Sequence, residues 1–84
     1  MAPDAPKPLV RRLFALFRDG RVEKRDDRLA VCSFITWQTI TTTDDLTALD
    51  IGAIVNTLQY WKSCGEIEYR CRRIAEQMIQ EVTA

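Results

Sequence analysis

Asn56, Gln59, Tyr60 and Ser63 recur at three- and four-residue intervals in AIVNTLQYWKSC, with Lys62 on the flank of the same run. On a helix that spacing gathers them towards one side. Asn and Gln can each bond adenine in a bidentate way, Tyr reaches sugar or phosphate, and Lys62 meets a phosphate. Arg70, Arg72 and Arg73 follow in EYRCRR and supply further cations for a phosphate backbone or a minor groove. The chemistry on offer is recognition of nucleic acid, not bond-making. The plainer reading is a solvated polar face, with the arginines paired to Glu66, Glu68 or Glu76 at about 0–1 kcal/mol each. Tyr60 beside Asn56 and Gln59 also fits a protein-binding patch, because exposed aromatics are enriched at interfaces.

The residues of catalysis are missing. With no histidine, the chain lacks the usual general base, proton shuttle and commonest metal ligand. Its three glycines stand apart, so no phosphate-cradling loop forms. Cys32, Cys64 and Cys71 lack CxxC spacing and the fourth ligand that structural zinc takes. Asp26-Asp27 and Asp44-Asp45 suit caps and turns better than acid–base work. Neither an enzyme nor a cofactor or metal is expected.

Net charge is zero, with 12 Lys/Arg against 12 Asp/Glu, whereas proteins that grip phosphate backbones usually carry a basic excess. The charge is uneven. Residues 1–28 hold eight Lys/Arg and five Asp/Glu, a balance of +3; residues 29–65 balance at −2 and residues 66–84 at −1. An odd cysteine count without a leader-like apolar run suggests free thiols in a reducing, cytoplasmic or nucleoid-associated setting. No apolar run approaches the roughly 20 residues of a membrane span.

Eighty-four residues allow one small core, expected over residues 8–84 behind a proline-rich tail over residues 1–7. Leu9, Val10, Leu13, Leu16 and Phe17 make the apolar face of a first helix opening at Pro8, with Gly20 as a left-handed stop. Leu29–Thr39 combines strand-favouring residues with a helix-like length and preceding aspartates, one of which is expected as a cap; a mostly buried helix is predicted. Phe14, Phe17, Phe34 and Trp37 are expected in the core, with Tyr60 and Tyr69 on the surface. Thr43 is expected to cap a short helix over residues 44–49. Asp50-Ile51-Gly52 then turns into a second helix over residues 53–64, closed by Gly65. Leu46, Leu49 and Ile51 supply apolar contacts, and Ile54, Val55, Leu58 and Trp61 pack inward. Glu66–Arg70, EIEYR, alternates as an edge strand does, and Arg72–Val82 is amphipathic again.

The order helix, turn, longer helix, glycine, strand over roughly residues 28–73 resembles a winged helix-turn-helix. The resemblance implies a mainly α domain with a short β-wing and amphipathic flanking helices, able to form a homodimer. It also implies a DNA-binding transcriptional regulator that places residues 53–64 in the major groove of double-stranded DNA. The outer helix face is polar without being basic, so the alternative stands beside it: a protein-interaction module, whether adaptor, complex subunit or inhibitor, on the same fold.

Overall fold

A computed structural model describes residues 5–83 and, in the last helix, the side chains up to Met78. It contains helices α1 (Lys7–Asp19), α2 (Arg25–Thr36), α3 (Ala48–Ser63) and α4 (Ile67–Thr83), with a 3₁₀ turn at Thr43–Asp45. α1 packs on α3 and α2 on α4, while α3 also touches α2 and α4. Leu13, Leu16, Val31, Cys32, Leu46, Ile51, Ile54, Leu58 and Cys71 form the fully buried centre. No helix among the described residues is long and apolar enough to cross a membrane.

The mainly α character is as expected, but the winged helix-turn-helix is not formed. Among the described residues there is no strand: Glu66–Arg70 leads into α4. The polar–apolar alternation of EIEYR sits inside a longer helical stripe, in which Ile67, Cys71, Ile74 and Ala75 are all buried. A five-residue alternation therefore yields to the longer 3.6-residue period, because only the helix buries all four.

The two-helix unit is likewise replaced. Thr47 caps α3: its Oγ1 accepts from the Asp50 amide, and the Asp50 carboxylate accepts from the Thr47 amide, both at 3.1 Å. This capping box starts the helix at Ala48, so Asp50-Ile51-Gly52 lies inside α3 and no turn divides it. The expected short helix shrinks to the 3₁₀ turn, capped by Thr42 in place of Thr43. Leu46 and Ile51 are buried as expected, whereas Leu49 is 87% exposed.

The α2 segment is a helix as predicted, ending at Thr36; Lys24 precedes it without a side-chain cap, and Asp26 and Asp27 lie in its first turn. Of the tail expected over residues 1–7, residues 1–4 lie outside the described part, and Lys7 already belongs to α1. Ile79 and Val82, expected on the apolar face of the last helix, lie outside the described side chains.

The two glycine stops work differently. Gly65, with φ +73°, takes the left-handed position after α3, and the Gly65 and Glu66 amides bond the carbonyls of Lys62 and Trp61. Gly20 is not left-handed: Arg21 takes that position at φ 57°. A Cβ on Gly20 would lie 3.2 Å from Ile67 Cγ1 and 3.3 Å from Cys71 Sγ, so its missing side chain is what admits α4 to the end of α1.

Candidate interaction surfaces

The eight residues singled out for nucleic-acid contact are all at least partly exposed but do not converge. Asn56, Tyr60 and Ser63 lie on the outer side of α3, where the Ser63 hydroxyl donates to the Tyr60 carbonyl at 2.7 Å. Gln59 is half-buried and accepts from the Arg12 guanidinium. Lys62 pairs with Asp19 at 2.8 Å, and this hydrogen bond, helped by the positive charge of Lys62, Arg12 and Arg18, holds the Asp19 carboxyl below its ordinary range. The lone cation of α3 therefore ties α3 to α1.

The arginines of α4 divide around the helix. Arg70 contacts Glu66 at 3.4 Å and lies 5.7 Å from the centroid of the Trp61 ring, a cation–π arrangement on a buried tryptophan. Arg73 lines a groove of about 240 Å³ with Phe34, Trp61, Tyr69 and Arg70. Arg72 faces a different groove, beside Gly20, Lys24, Glu68 and Glu76.

The largest departure concerns the aromatics. Phe17 is buried, but Phe34 is 50% and Trp37 94% exposed, and Phe14 is also exposed. Phe34 extends the stripe of buried Ala30 and Val31, so helical phase points it to the core. It overhangs the packed part of α2 instead. Trp37 follows the end of α2 with φ 58°, a left-handed conformation that costs a non-glycine residue about 1–2 kcal/mol. The segment around it is pinned: buried Ser33 Oγ accepts from the Ile40 amide at 3.0 Å, and Ile40 is itself buried. Phe34 and Trp37 flank a second groove of about 420 Å³ with Gln38, Thr39 and Met78. Phe34 is shared with the Arg73 groove, so the two adjoin along the α2–α4 seam. The missed signal is the TWQT run: a tryptophan just past a helix end, followed by polar residues, has no neighbours in sequence to bury it.

All three cysteines are free; Cys32 and Cys71 are buried and Cys64 exposed. Burial pushes the Cys32 and Cys71 thiols up to about 11, so both are neutral. Among the described residues no group of three Cys, Asp or Glu side chains could hold a metal ion. Comparisons with protein-family models, curated proteins and solved structures found no match for this chain.

Proposed function

We propose that this chain is a protein-interaction module that docks its partner on the α2–α4 seam. The observation that carries this reading is Trp37, 94% exposed on a pinned segment and held in a left-handed conformation. A large apolar side chain that is both fully solvated and conformationally costly fits a residue retained for contact, since such strain clusters at functional sites. Phe34 shares the Trp37 groove and also lines the adjoining one with Tyr69, Arg70 and Arg73, and aromatics with arginine are the residue types that dominate binding hot spots. Arg73 makes no ion pair among the described residues, which suits a partner segment with apolar anchors and an acidic flank. An adaptor, a subunit of a complex or an inhibitor would each work this way.

The test compares partner capture by the unaltered chain, Trp37→Gly and Leu49→Ala. Leu49 is nearly as exposed but lies at the start of α3, outside the seam grooves. A discrete partner retained by the unaltered chain and Leu49→Ala, and lost by Trp37→Gly, is expected. Equal retention by all three would sink the proposal.

A further inference from the structure

A second surface is separate from the seam. Arg11, Phe14 and Arg18 follow one another at i, i+3 and i+7 on α1, and with Val10, Arg28 and Glu23 they line an open groove of about 720 Å³ between α1 and the start of α2. Along the helix axis the two arginines stand about 10 Å apart, with the ring roughly midway. Phe14 is 40% exposed and is held edge-on by Phe17, centroids 6.1 Å apart at 72°. The Arg11 and Arg18 side chains make no hydrogen bond or ion pair among the described residues. Arg28 donates to the Glu23 carbonyl at 2.5 Å, which braces it at the far wall. Three cations face one acid here, although the whole chain is neutral.

We infer that this groove binds single-stranded nucleic acid: a base stacks on Phe14 while flanking phosphates meet Arg11, Arg18 and Arg28. Cations alone would suit any polyanion. The exposed ring between them narrows the choice, because a base offers a π-face for stacking whereas an acidic peptide of Asp and Glu offers none. It also favours single strands, since a duplex hides the faces of its bases.

Fluorescence anisotropy with labelled oligothymidylate, a duplex of equal length and polyglutamate tests it over a salt series. Oligothymidylate should bind more tightly than either competitor. The double variant Arg11→Ala/Arg18→Ala should weaken it at least tenfold and flatten the salt slope by about 1.4, the value for two single-strand phosphate contacts. Phe14→Leu keeps an apolar contact to Phe17 but removes the stacking face; about tenfold weaker binding with an unchanged slope is expected. Trp37→Gly should leave the affinity unchanged. The inference is overturned by no oligothymidylate binding at low salt, by indifference to the arginine or Phe14 variants, or by equal loss in Trp37→Gly. Tighter binding of duplex or polyglutamate would overturn it too, assigning the groove to duplex or to acidic protein.

Discussion

Thr47 and Asp50 cap each other: each side chain accepts the other's backbone N–H at 3.1 Å. The pair satisfies two of the amides that α3 would otherwise leave open at its first turn. Thr47→Ala should therefore destabilise the fold by about 1 kcal/mol. Adding Asp50→Ala should cost less than the sum of the single changes, because either one already breaks the reciprocal bond. Urea unfolding of the two single variants and the double variant measures both quantities.

Gly20 and Arg21 have divided the work of ending α1. Gly20→Ala should destabilise although its φ of −88° suits any residue, because the new Cβ crowds Ile67 and Cys71. Arg21→Gly should cost little or add up to about 1 kcal/mol, by relieving the left-handed position. Gly65→Ala should destabilise by about 1 kcal/mol through φ alone, since a Cβ there meets nothing within 4 Å. Thermal unfolding ranks the three, and a harmless Gly20→Ala would contradict the close approach of α4.

At Trp37, binding and stability should separate. Trp37→Gly removes a side chain with almost no packing and relaxes its backbone, so stability should stay level or rise by up to about 1 kcal/mol. Leu58→Ala, by contrast, opens a fully buried site in α3 and should cost about 2–5 kcal/mol. Chemical denaturation distinguishes them; a Trp37→Gly variant that fails to fold would show that the residue is structural.

Thiol chemistry should follow burial. In the native protein iodoacetamide should modify Cys64 and spare Cys32 and Cys71, whereas in denaturant all three should react; intact mass reads the difference. Alkaline pH has a definite sign. The folded state holds the Cys32 and Cys71 protons up to about 11 and the unfolded chain releases them from about 9. Their contribution to stability is thus complete below about pH 9 and lost as pH rises through about 11. Cys32→Ala/Cys71→Ala should flatten that decline.

Periodicity carried the reading where a helix buries one clean stripe. Leu13, Leu16 and Phe17 on α1, and Ile54, Val55, Leu58 and Trp61 on α3, are buried as their spacing predicts. It failed where two patterns overlap. EIEYR alternates over five residues, yet Ile67, Cys71 and Ile74 tie it to a helix that runs to Thr83. The break before α3 depended on which threonine caps: Thr43 and Thr47 both precede acidic residues, and only the reciprocal bond to Asp50 distinguishes them. The surface residues were less legible still. Whether Phe34 and Phe14 are covered depends on how far neighbouring helices extend over them, a tertiary quantity that phase along one helix does not contain. Arg72 and Arg73 look like one cluster in sequence, but adjacent helical positions point about 100° apart and so face different grooves.

The two tryptophans occupy opposite surroundings, Trp61 at 8% and Trp37 at 94% exposure. An indole in water emits to the red of one enclosed by hydrocarbon, so the free protein carries two optically distinct lamps. A ligand confined to the Trp37 groove would shift the red one and leave Trp61, which lines the adjoining Arg73 groove, steady. Loss of the core would do the reverse. Occupancy and integrity can thus be read separately from the same unlabelled sample.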